Sequence, residues 1–181
     1  MAPIGSERVA AINAVTRLLV LAVGDRGIVS VQNPIRLTQR SEPQPDFAVL
    51  ESRDDYRTTL PRPEDTMLAI ELSDTSLDYD RDVKLALYAR SGIPEVWIVN
   101  LAVNEVEVYQ APVADSCTFV ARAGRSDVLT IKAIPGVLIP ECEKRGLDAT
   151  CNPATFCRTH SETEIEGSCG GQFARAPGRT K

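Results

Sequence analysis

No run in this chain reaches the roughly 18–20 apolar residues that a bilayer-spanning helix needs. The stretch Leu18-Leu19-Val20-Leu21-Ala22-Val23 is short and stops at Gly24-Asp25, with no small-residue cleavage site after a basic start. The expectation is a cytoplasmic protein with no membrane partner. Excess positive charge is also lacking. The 181 residues carry 20 Lys+Arg against 25 Asp+Glu, a net charge of −5, and the first 140 residues hold 14 against 19. Such a surface binds polyanions poorly unless a local basic patch, a metal ion or a partner compensates. Paired cysteine spacing is missing as well. Five cysteines, at 117, 142, 151, 157 and 169, are odd in number and irregularly placed, which fits neither a disulfide framework nor a C-x-x-C zinc site. Cys157 and the lone histidine, His160, could touch a metal, but an unstructured stretch is the simpler reading there.

The 43% apolar and 25% charged composition is that of an ordinary globular domain, and 181 residues are enough to bury a core. Ile12, Val15, Leu18/Leu19 and Ala22/Val23 repeat at helical spacing over about 7–23, with Gly24 as a stop. Residues 28–32 and 35–37 read as β, interrupted by Asn33-Pro34, and residues 46–50 and 67–72 as further strands. A helix is expected from Asp78, acting as its cap, to Ser91, ended by Gly92 and Pro94. Glu95–Leu101 is nearly all apolar, as a buried central strand would be. Residues 105–109 alternate, and weaker strands follow near 117–122 and 127–131. The order α-β-β-β-α-β-β-β implies a mixed sheet with helices, an α/β or α+β domain over 1–140. After Pro140 the large apolar residues thin to Leu147, Phe156, Ile165 and Phe173, so 141–181 reads as a disordered or atypical tail.

Within TMLAIELSD, Glu71 shares a strand face with Met67 and Ala69, where a carboxylate would be partly buried and need a partner. Asp46 opens the preceding strand after Pro45, and Lys84 lies on the helix that follows. Two carboxylates at neighbouring strand ends are hard oxygen donors suited to Mg²⁺ or Mn²⁺. A nearby lysine can hold or deprotonate an attacking water and offset charge on a phosphorane. Spacing alone leaves other readings open. Asp46 could be a turn residue, Lys84 an i, i+4 partner of Asp80 on a solvated face, and Glu71 could escape to solvent at the strand end.

The runs EPQPDFAVL, MLAIELSDTSLDYDRDVKLALYARSGIPEVWIVN and EVEVYQ, with Ile134-Pro135-Gly136-Val137, resemble the Uma-two family. These are bacterial endonucleases of the PD-(D/E)xK restriction-endonuclease-like superfamily. The resemblance covers about residues 1–140 and implies an αβββαβ core with flanking helices, DNA as substrate and Mg²⁺ or Mn²⁺ as cofactor. It matches Pro45-Asp46 to the PD motif and Glu71 to the acidic residue of (D/E)xK, making Asp46 and Glu71 the metal ligands. Ser73 stands where the superfamily has lysine, and Lys84 matches the lysine that this family carries on the next helix. Glu95 and Glu42 also match family positions, as supporting residues. Gln32 is placed near the site as a substrate contact.

The opening MAPIGSERVA looks like a point already inside relatives' chains, and Arg8 stands where many have histidine. The tail lacks the family's short apolar closing element. A truncated or degenerate copy is thus expected, with an incomplete sheet edge that would favour a homodimer. The alternative to an active nuclease is a catalytically inactive member serving as a binding or interaction module.

Overall fold

The computed structural model describes residues 5–124, 127–136 and 138–140, the last three in backbone only. The expected tail, 141–181, lies outside the described residues, and Cys157 and His160 with it. The apolar spacing at the start of the chain forms helix α1, Ser6–Val23, which buries Leu19 and Val23. Gly24 follows at φ +53°, a backbone angle that a Cβ resists.

Strand β1, Ile28–Val31, pairs antiparallel with β2, Phe47–Leu50, and β2 pairs antiparallel with β3, Thr66–Ser73. Two sequence expectations need correcting here. Gln32 lies past the end of β1 at φ +51°, and residues 35–37 form no strand. The left-handed turn at Gln32 breaks the extended run, and Pro34 has no N–H for a ladder. The segment closes a loop instead, in which the Ile35 and Leu37 N–H groups donate to the Pro43 and Ser41 carbonyls.

Helix α2, residues 77–90, crosses from β3 to the parallel strand β4, Glu95–Asn100. Its middle, Asp80–Lys84, is a π turn, the wider helical form often found at functional sites. Asp78 is not the cap. Ser76 occupies the N-cap position and its hydroxyl donates to Asp80 Oδ2 at 2.7 Å. The far end is a Schellman closure: Gly92 at φ +82° donates to Ala89, and Ile93 to Tyr88. Strands β5, Glu105–Val113, and β6, Ser116–Ala123, complete a six-stranded sheet in the order β1-β2-β3-β4-β5-β6. A separate antiparallel pair joins β7, Val128–Thr130, to β8, Leu138–Pro140.

Strand alternation divides the core between the two faces of the sheet. Phe47, Val49, Leu68, Ile70, Leu72 and Trp97 pack with Leu19 and Val23 of α1. Ala48, Leu50, Ala69, Val96, Ile98 and Tyr109 pack with Tyr88 of α2. The result is a mixed α/β domain with an αβββαβ order, consistent with a restriction-endonuclease-like fold. No described helix is long and apolar enough to cross a membrane.

Candidate active site

On the α2 face of the sheet, the register sets Glu71 opposite Ile98, Ile98 opposite Glu107, and Glu107 opposite Arg122. Asp46 directly precedes Phe47, the partner of Ile70, so it stands at the level of Glu71. A row of ionisable residues therefore crosses the sheet, interrupted by Ile98.

Period-two alternation turns Leu68, Ile70 and Leu72 toward α1, leaving Ala69, Glu71 and Ser73 on the side of α2. Glu71 is only 1% exposed. Its Oε2 accepts a hydrogen bond from Lys84 Nζ at 2.8 Å and its Oε1 from the Tyr88 hydroxyl at 2.6 Å. Lys84 Nζ also lies 3.2 Å from Oδ1 of the buried Asp80. That contact is an ion pair by distance without hydrogen-bond alignment, and Asp80 Oδ1 and Ser73 Oγ are buried oxygens with no hydrogen-bond partner among the described residues.

Burial pushes the Glu71 carboxyl above the usual range, opposed by Lys84 and Tyr88 and reinforced by the charge of Asp46. For Lys84 burial works downward, but Glu71 and Asp80 outweigh it and the net shift is upward. The Tyr88 hydroxyl is pushed far up by burial and by Glu71. Lys84 is therefore a cation at neutral pH, able to donate hydrogen bonds and offset negative charge but not to act as a free base.

Asp46 is 5% exposed. The Leu72 N–H donates to its Oδ2 at 2.8 Å, and Nη2 of Arg8 lies 2.8 Å from both of its oxygens. Arg8 Nη1 also donates to the Leu72 carbonyl at 2.7 Å. Gln32 makes a longer contact, Nε2 to Oδ1 at 3.4 Å. The structure thus brings Asp46, Glu71, Lys84 and Gln32 to one end of the sheet.

Glu95 and Glu42 are not brought there. Glu42 is exposed and pairs with Arg36 at 2.7 Å. Glu95 alternates with Val96 and so shares the α1 face with Trp97. Its carboxylate accepts from Trp97 Nε1, Gln110 Nε2 and the Lys132 N–H, each at 2.9 Å. This is a structural clasp holding β4, β5 and the segment after β7. Glu95→Ala is expected to lower stability by about 2–4 kcal/mol, because buried donors lose their acceptor; a denaturation midpoint equal to the parent's would refute the clasp.

The sequence left Lys84 open between the site and a solvated i, i+4 pair with Asp80, and it gave Asp80 and Tyr88 no place at the site. Arg8 carried no local signal at all, since its contacts span 38 and 64 residues of chain.

Among the described residues, no three His, Cys, Asp or Glu side chains converge as a metal cage. Ions of the Mg²⁺ class, however, take one or two carboxylates and complete their shell with water and substrate phosphate. Asp46 and Glu71 on adjacent strands supply that donor set, and the unpartnered oxygens of Ser73 and Asp80 add polar capacity on the same face. The residues fit such an ion once Arg8 yields Asp46.

A family model, Uma2, with the description "Putative restriction endonuclease", matches residues 1–140. A crystal structure described as a putative nuclease belonging to DUF820, from Anabaena variabilis ATCC 29413, is similar at a TM-score of 0.55 and 12% identity. The match covers 74% of this chain and 75% of that one. At that identity the likeness speaks for a shared fold. No curated protein shows significant similarity to the chain.

Proposed function

Because the chain belongs to the Uma2 family of putative restriction endonucleases, we propose that it hydrolyses DNA phosphodiester bonds at the centre formed by Asp46, Glu71 and Lys84. The observation that carries this reading is the buried Glu71 carboxylate, which draws the Lys84 ammonium to the level of Asp46. A Mg²⁺ or Mn²⁺ ion bound by Asp46 and Glu71 would polarise the P–O bond and supply a water of lowered pKa.

The chain's own residues define the rest. Lys84, kept protonated by Glu71 and Asp80, orients the attacking water or donates to a phosphoryl oxygen, and its charge offsets that of the pentavalent transition state. Tyr88 fixes the second Glu71 oxygen and so the carboxylate plane. The Leu72 N–H aims the Asp46 carboxylate. Gln32, held in a left-handed backbone conformation beside Asp46, is suited to a polar contact with substrate.

A second reading has one specific observation in its favour. Arg8 engages both Asp46 oxygens, as it would in a catalytically inactive relative retained as a binding module. Nicking of supercoiled plasmid in Mg²⁺ or Mn²⁺ separates the two. Nicking by the parent should fall by roughly 10²-fold or more in Glu71→Ala and in Lys84→Ala, the scale of losing one transition-state contact. Equal nicking by parent and variants would remove these residues from the mechanism.

A further inference from the structure

Two strands from Glu71, on the same face, Glu107 gathers more positive charge than it needs. It is 2% exposed. Arg81 donates Nε to its Oε2 at 2.8 Å and Nη2 to its Oε1 at 2.6 Å, and the Tyr109 hydroxyl donates to Oε2 at 2.7 Å. Those three bonds already satisfy and neutralise the carboxylate. A second arginine, Arg122, nevertheless adds Nε to Oε1 at 3.0 Å.

The hydrogen bond from Arg81, joined by those from Tyr109 and Arg122, outweighs burial and holds the Glu107 carboxyl down at about 2, so it is fully ionised. One carboxylate against two guanidinium groups leaves the cluster one positive charge in excess, in a chain whose net charge is −5. Arg81 Nη1 and both Nη atoms of Arg122 make no hydrogen bond among the described residues, and the two side chains are 33% and 67% exposed. Asp82 and Glu105, exposed nearby in sequence, form no ion pair with either arginine.

We infer that Arg81 and Arg122, both held by Glu107, form a phosphate-binding subsite that grips the DNA backbone beside the cleavage centre. The inference rests on the nuclease reading. Guanidinium forks match phosphate geometry, and anchoring them on a buried carboxylate restricts their side chains before substrate arrives. The register fixes the placement. Glu107 lies two strand spacings from Glu71, roughly 10 Å, or about three nucleotide rises along a duplex strand. The subsite also supplies the local basic patch that an acidic protein needs to hold a polyanion.

Arg122 is the residue to test, because Glu107 keeps Arg81 and Tyr109 without it. Anisotropy of a short fluorescein-labelled DNA duplex, titrated in EDTA over a potassium chloride series, compares the parent with Arg122→Ala, Arg122→Lys and Arg90→Ala. Arg90 is an equally exposed arginine, paired with Asp115, and serves as the charge-matched control. Arg122→Ala should weaken binding about 3–10-fold and reduce the slope of log affinity against log salt by roughly 0.9. Arg122→Lys should recover the slope and Arg90→Ala should leave it unchanged. An unaltered slope in Arg122→Ala, an equal loss in Arg90→Ala, or no duplex binding by the parent each overturns the subsite. Parent nicking that persists alongside an unaltered slope rejects the subsite alone, whereas absence of both nicking and binding rejects the nuclease reading too.

Discussion

Lys84→Met is expected to remove DNA cleavage and also to lower folding stability by about 3–5 kcal/mol at neutral pH, the scale of stranding one partner of a buried ion pair. Glu71 is only 1% exposed, and without the ammonium its remaining donor is the Tyr88 hydroxyl. The deficit should depend on pH in a definite direction. The folded-state pKa of Glu71 already lies above its ordinary 4.5 because of burial, and Lys84 is the main group holding it down. A carboxyl with a raised folded pKa favours the fold below its unfolded pKa and loses that contribution as pH rises through the folded value. In the variant the folded pKa climbs further, so the gap to the parent should be small near pH 4.5 and widen toward neutrality. Urea denaturation at several pH values reads this directly. Adding Glu71→Gln removes the stranded charge and should recover part of the loss, with Asp80 still lacking its cation, while cleavage stays absent. A pH-independent deficit, or a double variant no more stable than the single, would show that Glu71 is not the carboxylate Lys84 compensates.

The sheet and its helices were legible because their signals are local. The EVWIVN run reads as a buried strand, and the Gly92 stop is a turn chemistry that any chain would use. Residues 35–37 were misread as a strand because Ile35 and Leu37 have β composition while the turn at Gln32 takes them off the sheet. At the site, Glu71 announced itself as a carboxylate in an apolar strand. What the sequence could not show was which oxygen faces which cation. Asp80 could be an exposed helix pair or a buried one, and only packing of α2 on the sheet decides, leaving it 2% exposed. Glu95 illustrates the converse error. One residue of strand phase moves a carboxylate to the opposite face, so a glutamate at the start of β4 serves the α1 side while Glu71 serves the other.

Arg8→Ala should make the protein less stable without metal yet tighten its hold on Mn²⁺. The Arg8 guanidinium gives Asp46 two contacts at 2.8 Å and ties the Leu72 carbonyl to the same point. Any ion that takes Asp46 must first displace it. Hydrogen bonds to charged groups contribute about 1.5–3 kcal/mol each, and 1.4 kcal/mol is a factor of ten, so removing the competitor should lower the Mn²⁺ dissociation constant by roughly 10–100-fold. The folding cost in metal-free buffer should be about 1–3 kcal/mol, since Asp46 keeps the Leu72 N–H. Because an ion that binds only the folded state raises stability by mass action, the thermal shift produced by Mn²⁺ should be larger in Arg8→Ala than in the parent. Adding Asp46→Asn should abolish the gain, which ties it to that carboxylate rather than to a looser fold. Calorimetric titration that finds no Mn²⁺ binding in either parent or Arg8→Ala would instead favour the inactive binding module, with Arg8 as a permanent counterion in place of a metal.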